Sequence, residues 1–520
     1  MKLTAVTPKH LNEPLFILIK SLTKSEKRSF KLYANRTQSK ADSKFINLFD
    51  VLDKMEAYEE ATLYKKIKGL RPAQLSNTKR HLNKQILISL RLLHIQKNVD
   101  IQLREQLDFA RILYGKGMYL DSLKILDRAK EVATKNHQDI LLLEVLEFQK
   151  LIEERHITRS RAVKNKVEDL IDDAYHISQV ISNSCKLSNL KIKMHGWYIQ
   201  IGHVKNDKDR LIVEQYFRSN LPSLKIQDLS FYEKVYLYQS YVWYYFILLD
   251  FKKCLEFAKK WTQLYVSNKQ MIEEDPALFM RGVAYTLTSA FNIRDKRNFE
   301  SYLDIFEDFE RDYQAKLNPL SKTLLFLYIS TARLNRHFLL GTFRDGVKLI
   351  PDIERQLKKF TPLLDVHRTM VFNYKIAYLY MGKGDFNKAL DYLNVIINLE
   401  AGHLREDIQS YARIMQILAH YELNNTSLLP YLIKSNYRFL EKVQELNKMQ
   451  KASLAFFNKI LNKAPLEEKE EFISFCMELK KIAKDPYEKR SFLYLDMLAW
   501  ATAKVKSKTF GVMLTKSIFK

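Results

Sequence analysis

The chain has 520 residues, enough for several domains or one repeat array, and 47% of them are hydrophobic, an ordinary value for a globular protein. Its 12 glycines and 11 prolines are too few for the frequent turns of a strand-rich fold, so an all-α protein with short connections is predicted. The formal net charge of +25 favours association with nucleic acid, ribosomes or other anionic surfaces, although a lysine-rich solvated surface would give the same value.

Cysteine spacing and the lengths of the apolar runs predict a cytoplasmic protein. Cys185, Cys254 and Cys476 lie too far apart for a CxxC metal pair or a disulfide framework, which favours a reducing compartment. The apolar run Leu15–Ile19 is too short for the core of a signal peptide. The most apolar window, Val235–Leu249, is shorter than the roughly 20 residues that span a bilayer, so no integral membrane association is expected.

Residues 1–98 are predicted to form a small, basic helical domain. Residues 1–100 hold 20 Lys and Arg against 9 Asp and Glu, a net charge of +11 in a fifth of the chain. Thr23 and Glu26 fit a capping box, and Pro72 suits the first position of a helix. The predicted helices are Glu13–Leu22, Ser25–Asn35, Lys44–Met55, Glu59–Lys68 and one from Pro72 onward.

Two groups of cations in this domain are candidate polyanion-binding sites. The four cations on the second predicted helix are spaced i, i+3, i+4 and i+7, which places them on one face as a basic stripe. The candidate residues are Lys24, Lys27, Arg28 and Lys31 in the stripe, and Arg71, Lys79, Arg80 and Lys84 in a second group near the fifth predicted helix. Nucleic acid or a ribosome is the expected ligand, but such surfaces also bind other polyanions.

The segment 64–87 loosely resembles a helix-turn-helix, in which Leu75–Leu82 would take the place of the recognition helix. In that motif the start of the second helix meets base edges in the major groove. The resemblance therefore implies contact with DNA, although the helix from Pro72 is predicted to continue for more than 20 residues.

A repeated capped phenylalanine marks the central part of the chain. Four phenylalanines follow one another at separations of 48, 44 and 43 residues, each preceded by a residue that can cap a helix and each followed three positions later by a mostly small residue. The pairs are Asp250–Phe251, Asn298–Phe299, Thr342–Phe343 and Asp385–Phe386, with Ser427–Leu428 as a degraded fifth. A period in the forties accommodates two helices and two turns, which predicts stacked helix pairs.

Two segments resemble the tetratricopeptide repeat (TPR). In 369–400 the matching residues are Ala377, Tyr380, Gly384, Asp385, Phe386, Ala389 and Leu393, and in 103–135 they are Ala110, Gly117, Tyr119, Ser122, Leu126 and Ala129. The resemblance implies a right-handed α-solenoid of helix hairpins over residues 99–464. Because most of the chain departs from the usual period of roughly 34 residues, a HEAT-like stack remains the alternative.

The resemblance also implies a groove, because the first helix of each TPR hairpin lines a concave surface that holds peptides. The candidate groove residues are Arg104 and Arg111 in the earlier segment and Tyr374 and Tyr378 in the later one. The Lys and Asn of the family's carboxylate clamp are missing at these places. Aromatic groove positions suit an extended or helical peptide, but the tyrosines could instead pack between hairpins.

Residues 465–520 are predicted to form capping helices and a basic tail. The last 24 residues hold five lysines and no acidic residue, followed by apolar positions that include Phe510, Met513 and Leu514. This tail could dock on the solenoid, on a partner or on a membrane surface, or it could be a frayed terminal cap.

No local motif for catalysis, for a cofactor or for a metal is present. The sequence lacks a GxxxxGK[ST] loop, an HExxH motif, a clustered Cys/His set and a GxSxG elbow. A non-enzymatic cytoplasmic binding or scaffold protein is therefore predicted, with a protein or peptide in the groove and an anionic partner on the N-terminal domain. The alternatives are a nucleic-acid- or ribosome-associated factor, including a regulator with a helix-turn-helix head and a TPR body, and an enzyme with a dispersed site.

Overall fold

The computed structural model describes residues 13–37, 43–95, 98–156, 165–360, 364–399, 405–442, 447–461, 463 and 465–516. These residues form helices joined by short turns, and no β-strand occurs among them. The predicted all-α class is therefore confirmed. Nor does any helix in these ranges combine the length and the apolar character needed to cross a bilayer.

The chain divides into two compact units, residues 1–179 and residues 180–520. The predicted domain boundary near residue 98 lies inside the first unit, and the one near residue 464 lies inside the second. The helices of the first unit are α1 (Pro14–Ser21), α2 (Lys24–Thr37), α3 (Ser43–Lys54), α4 (Glu60–Lys66), α5 (Pro72–His94), α6 (Val99–Gly115), α7 (Tyr119–Lys135), α8 (Asp139–His156) and the start of α9 (Lys166–Ile201).

The five N-terminal helices lie within about two residues of their predicted starts. Glu26 N–H donates to Thr23 Oγ1 at 3.2 Å, and Thr23 N–H donates to Glu26 Oε2 at 2.7 Å, which confirms the capping box. Pro72 begins α5 as predicted. Helices α2 and α3 pack against α5, whose Leu82 is fully buried.

The second unit contains the rest of α9 and eighteen further helices within the described ranges. They are α10 (Asp207–Asn220), α11 (Phe231–Ile247), α12 (Phe251–Ser267), α13 (Lys269–Glu274), α14 (Pro276–Asn292), α15 (Lys296–Tyr313), α16 (Pro319–Leu340), α17 (Phe343–Gly346), α18 (Ile350–Phe360), α19 (Val366–Lys383), α20 (Phe386–Ile397), α21 (Glu406–Glu422), α22 (Leu429–Lys442), α23 (Lys448–Ile460), α24 (Pro465–Ile482), α25 (Lys489–Tyr494), α26 (Met497–Val505) and α27 (Phe510–Thr515).

Three of the four capped phenylalanines begin helices as predicted, and two of these helices have a side-chain cap. Phe251 begins α12 behind Asp250, whose carboxylate accepts from Lys253 N–H at 3.1 Å. Phe386 begins α20 behind Asp385, whose carboxylate accepts from Lys388 N–H at 3.2 Å. A carboxylate at this position satisfies a backbone donor that the helix leaves unpaired.

The other capping predictions need correction. Helix α15 is capped by Asp295, which accepts from Asn298 N–H at 3.0 Å, so Asn298 lies inside the helix. Phe343 begins α17, which continues through a 3₁₀ turn (Val347–Leu349) into α18, but the side chain of Thr342 makes no capping hydrogen bond. Leu428 is exposed, whereas the next residue begins α22 and is fully buried.

Small residues mark the places where the two helices of a pair cross. Cys254 Sγ lies 3.6 Å from the carbonyl oxygen of Val242, twelve residues earlier on the facing helix. In the first unit, Ser122 Oγ donates to the Ala110 carbonyl at 2.8 Å, again twelve residues earlier. A small side chain at this point allows the backbones of the paired helices to approach closely.

Candidate partner-binding surfaces

The basic stripe on α2 is partly neutralised within the first unit. Lys27 Nζ lies 2.5 Å from Asp53 Oδ1, and Lys31 Nζ lies 2.6 Å from Asp50 Oδ1, both on α3. Lys24 and Arg28 are exposed, and no carboxylate in the described ranges lies within ion-pairing distance of them. Two of the four candidate cations are therefore already paired with carboxylates of α3, and polyanion binding by the stripe stays a prediction.

In the second basic group, Lys79 is held by hydrogen bonds within the first unit. Its ammonium donates to Glu13 Oε2 at 3.1 Å and to the Tyr58 hydroxyl at 2.5 Å, and the side chain is mostly covered. Burial alone would lower the pKa of Lys79, but the hydrogen bonds to Tyr58 and Glu13 raise it, so the lysine stays charged. Lys79 thus ties α1 and α5 together, and it is not available to a ligand.

The remaining cations of that group point to solvent. Arg71, Arg80 and Lys84 are exposed, without an ion pair to any carboxylate that the structure describes. Helix α4 has 7 residues and α5 has 23, so the order of elements is that of a helix-turn-helix but the second helix is long. The helix-turn-helix assignment stays a prediction.

The candidate groove residues of the first unit are exposed but paired. Arg104 donates through Nε and Nη2 to the two carboxylate oxygens of Asp100, each at 3.1 Å. Arg111 Nη2 lies 2.5 Å from Glu144 Oε1 on α8. Exposed pairs of this kind contribute little to stability, so the two guanidiniums can exchange partners at small cost.

The candidate groove residues of the second unit are covered by the chain itself. We call residues 489–516, which hold α25, α26 and α27, the C-terminal segment. The Tyr374 hydroxyl donates to the Tyr494 carbonyl at 2.9 Å, and Asp496 N–H donates to the Tyr378 hydroxyl at 3.3 Å. Tyr374 is buried and Tyr378 half-buried, so neither side chain is open to an external partner in this arrangement.

The rest of the C-terminal segment packs back across the preceding helices. Trp500 Nε1 donates to Glu422 Oε1 at 2.6 Å, and Lys504 Nζ lies 2.7 Å from Glu422 Oε2, which fixes α26 to the end of α21. Helix α27 packs on α16 and α19, and Arg294 Nη1 donates to the Leu514 carbonyl at 3.0 Å. The described part of the tail thus docks on helices of its own chain, which is one of the predicted sites. The apolar residues Ile518 and Phe519 at its end lie outside the described residues.

A buried polar network holds the beginning of this segment. Asp407 accepts from Arg405 Nε and Nη2, both at 2.8 Å, and from the Tyr494 hydroxyl at 2.6 Å. Arg405 Nη1 lies 3.3 Å from His367 Nδ1. Burial alone would raise the pKa of Asp407, but the hydrogen bonds from Arg405 hold it well below its usual range. The network therefore fastens α25 to the start of α21.

A second group of side chains, absent from the sequence predictions, gathers basic and aromatic residues. We call Lys191 and His195 on α9, Trp243 on α11, and Arg281 and Tyr285 on α14 the α9–α14 cluster. The His195 ring lies 4.4 Å from the Trp243 ring, and the Trp243 ring lies 5.2 Å from the Tyr285 ring. Burial and the charge of Arg281 lower the pKa values of both Lys191 and His195.

Neither group leaves a contiguous motif in the sequence. The α9–α14 cluster joins residues some 90 positions apart, and the Arg405 network joins residues of three helices. The local signals were the i, i+4 pairs Lys191/His195 and Arg281/Tyr285, which place each pair on one helix face. Such pairs are common, so the sequence alone could not mark them as a site.

Comparison with known proteins assigns no family to this chain. No family model matches the sequence, and neither the curated proteins nor the solved structures contain a match. In the parts of the chain that the structure describes, no group of three or more His, Cys, Asp or Glu side chains could hold a metal ion.

Proposed function

We propose that this chain is a non-enzymatic cytoplasmic binding protein in which TPR-like helix hairpins stack into a right-handed α-solenoid and hold a peptide segment of a partner on their inner face. The observation that carries this proposal is the way α19 holds the C-terminal segment. Two tyrosine hydroxyls, on Tyr374 and Tyr378, bond to the main chain of Tyr494 and Asp496. Main-chain hydrogen bonds accept many side-chain sequences, which suits a surface that binds peptides.

The packing of successive helices supports the stacked arrangement. Helix α12 packs on both α11 and α14, α14 on α15 and α16, and α20 on α19 and α21. Each pair thus covers the apolar face of the next, as expected when a single hairpin cannot bury its own apolar face. In this proposal the first helix of each pair (α9, α11, α14, α16, α19 and α21) lines the inner face.

Peptide selection on the full-length protein tests the proposal. A random library of peptides with amidated C-termini is panned on the immobilised protein, and enriched peptides are mapped by hydrogen exchange of the complex. We expect protection of amides in α11, α14 and the turns of α9 that precede its contact with Arg490 of the C-terminal segment. If no peptide is enriched over an unrelated helical protein, the proposal fails.

A second function is favoured by the exposed cations of the first unit. Lys24, Arg28, Arg71, Arg80 and Lys84 are exposed and lack a carboxylate partner among the residues that the structure describes. We propose that they contact nucleic acid through its phosphates, since phosphate contacts supply most of the affinity of non-specific binding. Fluorescence anisotropy with labelled duplex DNA and labelled RNA tests this, and affinity should fall steeply with salt.

A further inference from the structure

The α9–α14 cluster lies at the surface of the second unit, on helices that the proposed function places on the inner face. Lys191 and His195 are one turn apart on α9, and Arg281 and Tyr285 are one turn apart on α14. His195 is exposed, and the side chains of Lys191, Arg281 and Tyr285 are half-buried. The basic groups of two helices therefore face the same partly covered space, with the ring of Trp243 between His195 and Tyr285.

The charges of this cluster are poorly compensated. Lys191 Nζ lies 5.5 Å above the Tyr236 ring, and Arg281 shares a hydrogen bond with the Tyr328 side chain. The negative charge of Asp275 raises the pKa of Arg281, but the Asp275 carboxylate also caps α14 by accepting a hydrogen bond from Leu278 N–H at 3.1 Å. In the described ranges no acidic side chain pairs with Lys191 or His195. Like charges brought together in a half-buried place favour binding of an anion.

The surroundings favour a carboxylate on a peptide. Aromatic rings border the cations, as in sites where a peptide side chain is held between apolar and charged contacts. The C-terminal segment is anchored by Arg294 just after α14, and it also reaches the end of α9, where a Cβ added to Gly202 would lie 3.4 Å from Arg490 Nη1. Lys191 and His195 lie on earlier turns of α9. A peptide lying along α11, α14 and the earlier turns of α9 would therefore pass this cluster.

We propose that Lys191, His195 and Arg281 bind a side-chain carboxylate, from Asp or Glu, of a partner peptide that lies across α9, α11 and α14. This inference rests on the proposed peptide-binding function and narrows its ligand to acidic peptides. The Arg281 guanidinium supplies a permanent charge, and Lys191 a second cation beside it. Trp243 and Tyr285 flank the bound carboxylate and pack against the stem of its side chain.

A pair of matched peptides tests the inference on the full-length protein. One fluorescein-labelled peptide alternates Glu and Tyr, the other alternates Gln and Tyr, and both carry a C-terminal amide so that only side chains differ in charge. We expect the Glu peptide to bind about tenfold or more tightly than the Gln peptide, as for loss of a charge-assisted hydrogen bond. Lys191→Gln and Arg281→Gln should each remove most of that preference, and Lys193→Gln, on the opposite face of α9, should keep it.

Each other outcome has a defined meaning. If peptides are selected but the Glu and Gln peptides bind equally, peptide binding stands and the acidic site falls. If neither peptide binds and panning enriches none, both proposals fall. Binding of inorganic phosphate, measured by calorimetry, without binding of the Glu peptide would show a small-anion site and overturn the inference. Arg281→Lys, which keeps the charge, should retain the preference for Glu, and a thermal melt checks that the variants fold.

Discussion

Gly511 on α27 lies directly against the backbone of Gly382 on α19. A Cβ built on Gly511 would be 2.2 Å from the Gly382 carbonyl oxygen, and one built on Gly382 would be 2.4 Å from the Phe343 ring. Gly511 thus allows α27 to reach the backbone of α19, and Gly382 leaves room for the Phe343 ring of α17. An alanine at Gly511 would require the backbone to move, and an alanine at Gly382 would require the Phe343 ring to move.

Gly511→Ala should therefore loosen the C-terminal segment. The added methyl group meets backbone, which cannot give way as a flexible side chain can, so we expect a loss of about 1–3 kcal/mol in the free energy of unfolding. Urea denaturation measures it, and limited proteolysis should cut near α27 faster. Gly196→Ala is the control, because nothing lies within 4 Å of its added Cβ and α9 should gain slightly. Equal stability of Gly511→Ala and wild type would contradict the packing described here.

Asp407→Asn should destabilise the second unit by about 3–5 kcal/mol at neutral pH, since it leaves Arg405 without its buried carboxylate partner. The pKa of Asp407 is lowered in the folded state, so the stabilisation is present above the unfolded value of about 3.9 and is lost as pH falls below it. The difference between wild type and variant in urea should accordingly shrink below about pH 4. Asp391→Asn, at an exposed position, should show neither effect; a constant difference down to acid pH would refute the explanation.

Lys375 gives a pH dependence of the same sign, but at alkaline pH. Its Nζ donates to Asn335 Oδ1 at 2.7 Å between the rings of Phe291 and Phe338, and burial lowers its pKa to about 8. Because the unfolded chain keeps this proton up to about pH 10.4, stability should rise as pH increases from about 8 toward 9.5.

Lys375→Met should flatten that rise, because the titrating group is gone. Urea denaturation between pH 7 and 9.5 gives the comparison, and Lys451→Met, at an exposed position of α23, serves as the control. If the variant keeps the full rise with pH, another group is responsible for it.

The basic surface of the first unit is best tested through Lys24 and Arg28. Lys24→Glu with Arg28→Glu should weaken binding to duplex DNA at least about tenfold and reduce the slope of log affinity against log salt by about 2, one for each lost phosphate contact. Lys27 is a poor choice for this test, because a glutamate at position 27 would be repelled by Asp53 and would destabilise the packing of α2 on α3. Lys358→Glu with Lys359→Glu makes the same charge change on α18 of the other unit. If both double variants lose the same DNA affinity, the effect comes from the net charge of the protein and not from a site at Lys24 and Arg28.

The sequence predicted those features that depend on neighbours along the chain. The Thr23–Glu26 capping box and the start of α5 at Pro72 could be located because cap and helix are adjacent. Asn298 was placed wrongly because Asp295, three residues earlier, competes for the same helix start and bonds Asn298 N–H. Local pattern alone does not decide between two capping residues one turn apart.

Features that depend on distant residues were beyond the reach of the sequence. Lys27 pairs with a carboxylate 26 residues away, and Tyr374 bonds a carbonyl 120 residues away. Spacing on α2 identified the cations correctly as one face but could not show that α3 brings carboxylates to that face. Likewise, the position of Tyr374 in its hairpin gave no sign of the segment that covers it.

That separation of 120 residues between Tyr374 and its carbonyl partner also has a consequence for biosynthesis. At about 5–20 residues per second, the ribosome needs about 6–24 s to make the stretch between them. During this interval the surface of α19 exists without its cover, with tyrosines and apolar side chains accessible to chaperones or to other nascent chains. Slow codons between α20 and α25 would prolong that exposure, so the yield of native protein should depend on how fast this stretch is translated.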